Sequence, residues 1–200
     1  MRLSLTLLGL GLALFSRTAQ AWSPNPDQAK TLKRGDLVLV VKPAPDHVSG
    51  AIQAGIEIAA TPDVVWAVLV DCNLATRMVP NLNSCRILER DPQGRFDIRE
   101  HISKPILFFP PIRNVFRSDY DPPHGISIHQ SGGDFPVLEG QWLLIPLNHG
   151  TGTRALYEGR AAAPFAAPGP IVRLVLRDQM AEGLAALRRE SLARNSRPIP

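Results

Sequence analysis

The stretch Ile56-Glu57-Ile58-Ala59-Ala60-Thr61-Pro62-Asp63-Val64-Val65-Trp66-Ala67-Val68-Leu69-Val70-Asp71 changes periodicity at its centre. Ile52–Ala59 alternates loosely, as a half-buried strand does. Thr61 then offers a capping hydroxyl, Pro62 fits the first helical position, and Asp63 lies at the positive end of the helix dipole. Val64, Val65, Val68 and Leu69 line one side of the helix so begun, with Trp66 beside them. A strand that runs straight into a capped amphipathic helix sets the frame for the rest.

Downstream the pattern is strands and turns. A second short helix is expected over Leu74–Val79, stopped by Pro80. Leu82–Glu89, Phe96–Ile102, Asn114–Tyr120, Ile126–His129, Val137–Ile145 and Arg154–Arg160 read as strands. Asp91-Pro92-Gln93-Gly94, Asp121-Pro122-Pro123-His124-Gly125 and Asn148-His149-Gly150-Thr151-Gly152 are the turns between them. Regular short strands with tight turns imply a meandering antiparallel sheet. The chain closes on a helix over Ile171–Arg194, in which Val172, Val175, Leu176, Met180, Gly183, Leu184 and Leu187 form one apolar stripe. Residues 196–200 read as a frayed tail. One amphipathic helix cannot cover both faces of so wide a sheet, so the expected solution is α+β: a curved antiparallel sheet wrapped around the helix, with a hollow between them.

Upstream, Asn25-Pro26 begins a short helix that Gly35 can end, and Leu37–Val41 reads as a strand; residues 22–50 are thus an N-terminal extension to a domain over 51–195. Before it, Arg2, the apolar run Leu3–Phe15 and Ala19-Gln20-Ala21 have the layout of a secretory signal peptide, cut before Trp22. The run falls short of the about 20 apolar residues a membrane-spanning helix needs. Removing Met1–Ala21 takes away Arg2 and Arg17 and no acid, so the formal charge falls from +4 to +2. That mild excess lacks the clustered basic stripe of a nucleic-acid binder. The expected location is periplasmic or secreted.

With these elements in place, the chain resembles the START/polyketide-cyclase superfamily, also called SRPBCC, whose members share the helix-grip fold. The resemblance rests on Ile56–Asp71, which is similar to the family's first strand and its A-x-P-x-x-V-W-x-x-L-x-D helix, and on Val79-Pro80-Asn81-Leu82. Gly133-Asp134-Phe135, Glu139-Gly140-Gln141-Trp142-Leu143-Leu144 and Gly152-Thr153 through Tyr157 resemble later landmarks of the coenzyme Q-binding and cyclase/dehydrase branch. It covers Ala51 to Arg194. The resemblance implies a cavity for apolar molecules, in a superfamily that includes lipid carriers, quinone-binding proteins, aromatases and plant allergens. A signal peptide departs from its intracellular quinone-binding and polyketide-cyclase members.

The expected function is therefore an exported binding protein for a small apolar ligand (lipid, quinone or polycyclic); the alternatives are a cyclase/dehydratase using the same cavity, or a membrane or protein interaction module using the Phe108–Pro111 loop. The sequence has no G-x-S-x-G elbow, P-loop, dinucleotide glycine fingerprint or H-E-x-x-H. The five histidines (His47, His101, His124, His129, His149) lack ligand spacing, so neither a metal nor a cofactor is expected. Candidate wall residues are Phe108, Phe109, Phe116, Phe135, Trp142, Tyr157, Met180 and Gly183. Glu100 shares a strand face with Phe96, Ile98 and Ile102; it reads either as an anchor or general acid/base working with Arg117 or Tyr157, or as a structural pair. Phe108-Phe109-Pro110-Pro111 reads as a cavity lid, a membrane-touching tip giving peripheral membrane contact, or simple packing. The arginines of the last helix form a solvated face or meet an anionic membrane. A monomer is expected.

Cys72 and Cys85 are either two independent small residues or a disulfide closing a short loop. In an exported protein a bridge is expected, and the helix-grip layout implied by the resemblance brings the two ends together.

Overall fold

Thr61 begins its helix as the sequence requires: its backbone is extended and its hydroxyl accepts from the Val64 amide. In the computed structural model, which describes residues 22–46, 49–105, 110–165 and 167–196, the helix so capped is α2 (Pro62–Leu69). Before it come α1 (Pro26–Lys33), β1 (Val38–Pro43) and β2 (Gly50–Ile58). After it come α3 (Ala75–Met78), β3 (Leu82–Arg90), β4 (Phe96–Ser103), β5 (Arg113–Asp121), β6 (Gly125–Gly133), β7 (Leu138–Leu147), β8 (Gly152–Ala161) and α4 (Gly169–Asn195). Met1–Ala21, expected to be a signal peptide, Phe108, Phe109 and residues 197–200 lie outside the described residues.

All eight strands belong to one antiparallel sheet, in the order β1-β2-β8-β7-β6-β5-β4-β3. The α2–α3 corner carries the chain from β2 across to the far edge, and β3 to β8 then meander back until β8 pairs with β2. This is the helix-grip α+β arrangement. The N-terminal helix is held by a reciprocal cap in which the Asn25 and Gln28 side chains each accept from the other's amide, both at 2.9 Å. The strand after it joins the main sheet as an edge, Val38 to Pro43 pairing with Gly55 to Gly50. Leu32 of α1 covers Val38 and Leu156 on the convex side.

The concave side is filled unevenly. Ile52, Ala54, Ile56 and Ile58 of β2 pack with Val65 and Val68 of α2, Leu144, Ala155 and Tyr157, and with Leu184 and Leu187 of α4. That core occupies the β2–β8–β7 half of the sheet; the β4–β5–β6 half is left to α3 and the middle of α4. The helix stripe is buried at Val172, Leu184 and Leu187 but not at Val175, which is 46 % exposed and stands near exposed Ile171 and Leu174. Nor are the helix arginines only a solvated face. Arg188 donates to the carbonyls of Gly35 and Glu57, and Arg189 to that of Arg77, tying α4 to the sheet and to α3. Among the described residues no helix is long and apolar enough to cross a membrane.

Candidate functional site: a hollow with one polar wall

Under the less filled half of the sheet lies a hollow of about 390 Å³, lined at the turn from α3 into β3 by Val79, Pro80, Asn81 and Leu82. Phe116, Phe135, Trp142, Tyr157, Met180 and Gly183, all expected at the wall, line it. Trp142 and Tyr157 stand opposite each other on β7 and β8, ring centroids 5.0 Å apart. The Tyr157 hydroxyl lies against Gly140 and Gly159, a directly paired couple at which any side chain would collide with it. Burial pushes this hydroxyl up to about 12, so it stays protonated at neutral pH. Ser103 and Ile112, on either side of the segment that carries Phe108 and Phe109, also line the hollow.

Gly183 faces the hollow from α4. A methyl group there would meet the Met78 carbonyl at 3.5 Å, an ordinary contact. Gly183→Ala should therefore raise stability by about 1 kcal/mol through helix propensity alone, measurable by urea denaturation. Loss of stability would show that close packing requires the glycine.

Glu100 and Arg117 are elsewhere, and this corrects the expected face. On β4 the residues that reach the hollow are Arg99, His101 and Ser103; on β5 they are Asn114, Phe116, Ser118 and Tyr120. Side chains alternate across a sheet, so Glu100 and Arg117 point to the convex side. There Glu100 accepts from Arg113 at 2.7 Å and Arg86 at 3.0 Å. Arg113 and then Arg86 hold its carboxyl below the usual range, against the opposing effect of burial. Arg117 forms a bidentate pair with Asp119 and lies over the Phe96 ring, 3.6 Å from its centroid. Alternation shows that Phe96, Ile98 and Ile102 share one face, but it does not say that this face is the inner one. The inner face of β4 carries charge, and it is affordable because that charge is internally satisfied.

The satisfaction is nearly complete. Arg99 donates to Asp97 from Nε at 2.9 Å and from Nη2 at 2.6 Å. The same Nη2 reaches the Tyr120 hydroxyl at 2.6 Å and the Val70 carbonyl at 3.3 Å, while Tyr120 donates to Asp97 at 2.7 Å. Asp97 is 1 % and Arg99 5 % exposed. Burial pushes the Tyr120 hydroxyl well above its ordinary range, keeping it a donor. These residues bind β4 and β5 to the end of α2 at the floor of the hollow, and Trp66 of α2 packs edge-on against Tyr120 at 5.5 Å.

His101 sits one step along the same wall, its ring edge-on to Phe116 at 4.9 Å. Burial, reinforced by the Arg99 charge and partly opposed by Asp97, lowers its pKa from 6.5 to about 4. The folded protein thus refuses a proton that the unfolded chain accepts below about pH 6.5. Stability should fall as pH drops from about 6.5 to about 4, by up to about 3 kcal/mol. Urea denaturation between pH 7 and pH 4.5 checks this, with His101→Phe expected to flatten the slope. The ion-paired carboxylates of Asp91 and Glu100, whose pKa values are lowered, weaken only at lower pH.

Among the described residues no cluster of three or more His, Cys, Asp or Glu side chains is placed to hold a metal ion. Cys72, just past α2, is bridged to Cys85 of β3 with the Cα atoms 5.6 Å apart, inside the range that real bridges occupy.

The comparisons with known proteins agree with this fold. The profile of the family described as polyketide cyclase / dehydrase and lipid transport matches residues 58–188. The chain belongs to that family. Its fold is similar to the Zhui aromatase/cyclase from Streptomyces sp. R1128, at 18 % identity over 74 % of this chain and 94 % of that one, with a TM-score of 0.57. A START superfamily protein from Mycobacterium smegmatis matches at 19 % identity, 72 % and 97 % coverage and a TM-score of 0.61. The STAR-related lipid transfer protein from Xanthomonas axonopodis matches at 16 % identity, 78 % and 93 % coverage and a TM-score of 0.66. No curated protein sequence matches the chain. At these identities the likeness is one of fold.

Proposed function

We propose that this chain is an exported binding protein that holds one small apolar molecule, such as a lipid, quinone or polycyclic compound, between the sheet and α4. The observation that carries this reading is the hollow itself. Its volume of about 390 Å³ falls in the range of small-molecule sites, and its wall is mostly aromatic and aliphatic, with polar groups on β4 and β5 and at Asn81 and Gln179. Left empty, such a wall forfeits the dispersion contacts that a packed core provides. Membership of a family described by lipid transport supports the same reading. Export is supported by the charge, apolar run and small-residue pattern of Met1–Ala21, and by the Cys72–Cys85 bridge, since such bridges persist in oxidising compartments.

A cyclase or dehydratase step is less well supported. Of the three residues proposed for proton transfer only Tyr157 reaches the hollow, and a hydroxyl pushed up to about 12 is poorly matched to proton transfer near pH 7. Native mass spectrometry after mild extraction tests the binding reading. An apolar molecule should leave with the protein and be absent from Gly183→Trp, which places an indole in the hollow. Ligand-free protein whose melting temperature is unmoved by lipids, quinones or polycyclic hydrocarbons would overturn it.

A further inference from the structure

Among the described residues every buried or half-buried carboxylate but one is paired with an arginine, from Arg154 on Glu57 to Arg77 on Glu190. The exception is Glu158, half-buried on β8. Tyr157 beside it reaches the hollow, so Glu158 points to the convex side. Two neutral donors hold it there. Gln53 Nε2 of β2, its register partner, donates to Oε1 at 3.1 Å, and the backbone nitrogen of Trp22 donates to Oε2 at 2.9 Å. Trp22 is fixed through its side chain as well, which packs on Leu32, Val38 and Leu156. Leu156 lies two residues before Glu158, on the same face of β8. The backbone nitrogen brought to this uncompensated carboxylate thus belongs to the residue that follows Ala19-Gln20-Ala21, the expected cleavage point.

We propose that Glu158 is the receiving site for the α-ammonium group that signal-peptide removal creates at Trp22. The inference rests on the export part of the proposed function and gives the mature terminus a seat in the fold. Hydrolysis of the Ala21–Trp22 peptide bond by signal peptidase consumes one water. The hydroxyl goes to the Ala21 carbonyl carbon, a hydrogen goes to the Trp22 nitrogen, and the freed amine takes a proton from solvent at neutral pH. Before cleavage Trp22 offers Glu158 a neutral amide with one N–H. Afterwards it offers a cation with three, in the same place, because the indole keeps its seat on Leu32, Val38 and Leu156. Hydrogen bonds between charged groups are roughly twice as strong as neutral ones, and a partly buried pair is screened less than an exposed one. Gln53 on the other oxygen holds the carboxylate in orientation. The bond fastens the start of the N-terminal extension to β8, two strands in from the edge that β1 forms. Cleavage thus completes the last ion pair of the convex face.

The test begins with the intact mass and N-terminal sequence of the exported protein, which should start at Trp22. Two oxidised forms are then released from a fusion, one starting at Trp22 and one retaining Ala19-Gln20-Ala21, in which the Trp22 nitrogen is again a neutral amide. The Trp22 form should melt about 2–4 °C higher at pH 6.5. Glu158→Gln, which keeps an acceptor and the shape of the side chain, should remove that advantage and leave the longer form nearly unmoved. At pH 7.5 the Trp22 amine should be acetylated several-fold more slowly in the unmodified protein than in Glu158→Gln, since a carboxylate favours the protonated amine, which does not react. Equal melting of the two forms, or an equal loss in both on Glu158→Gln, would overturn the ion pair. An exported protein that starts elsewhere would overturn it too, and would leave export and ligand binding standing. A chain that keeps Met1–Ala21 and stays in the cytoplasm would take the export reading down with it.

Discussion

Arg99→Leu should destabilise the fold by about 3–5 kcal/mol, the size expected when one member of a buried ion pair is removed. The reason is what remains. Asp97 is 1 % exposed and accepts two bonds from Arg99 and one from Tyr120. With the guanidinium gone, a carboxylate is left buried beside the hollow with a single hydroxyl to hold it. It must either keep an uncompensated charge or take up a proton, and both cost stability. The Val70 carbonyl at the end of α2 loses its donor in the same change. Asp97→Leu should be comparably severe, for it strands the guanidinium instead. The combination Asp97→Leu with Arg99→Leu should recover much of the loss, because it removes both charges and keeps apolar volume. Urea denaturation of the four proteins closes a double-mutant cycle. A double variant as unstable as the sum of the singles would mean that the pair contributes no coupling and that the cluster is held by its neighbours.

The same cluster marks the limit of what the sequence makes legible. The strand into Thr61-Pro62-Asp63, the meander and the closing helix could all be read, because caps, turns and periodicity are local. The wall aromatics Phe116, Phe135 and Trp142 could be placed for a related reason: a large ring on an alternating strand is costly to leave in water. The polar wall could not. In β4 the apolar set Phe96, Ile98 and Ile102 competes with the polar set Asp97, Arg99 and His101 for the inside, and the polar set occupies it. Its burial depends on Tyr120, some twenty residues later, and on the Val70 carbonyl, neither visible from within the strand. The outward set is then shielded by other means, as where Arg117 covers Phe96. The usable hint was that polar residues recur on the facing rows of two adjacent strands, Asp97, Arg99 and His101 lying opposite Ser118, Phe116 and Asn114, with Tyr120 next in the second row.

The Cys72→Ser, Cys85→Ser double variant should lose about 3 kcal/mol, the chain-entropy value for so short a loop. In a chain of this size that corresponds to a drop in melting temperature of about 6–12 °C. Loop entropy is only part of the argument, because the bridge fixes a wall of the hollow. Cys72 follows the end of α2, where Leu69 and Val70 line the hollow, and precedes α3, where Ala75 and Met78 do. Cys85 anchors that corner to β3, which is paired on one side only, to β4. With the bridge gone, the corner is held mainly by its packing on α4 and by the bond from Arg99 to the Val70 carbonyl. Dithiothreitol should therefore lower the melting temperature of the unmodified protein and weaken its hold on an apolar probe such as anthracene, while leaving the serine variant unmoved on both counts. Alkylation and mass analysis without reductant add the compartment to the test. Protein produced with Met1–Ala21 and recovered from an oxidising compartment should show no reactive thiol, and protein made without that segment in a reducing cytoplasm should show two. Two free thiols in the exported protein, with stability unchanged in the serine variant, would separate the fold from the bridge and remove one of the two supports for export.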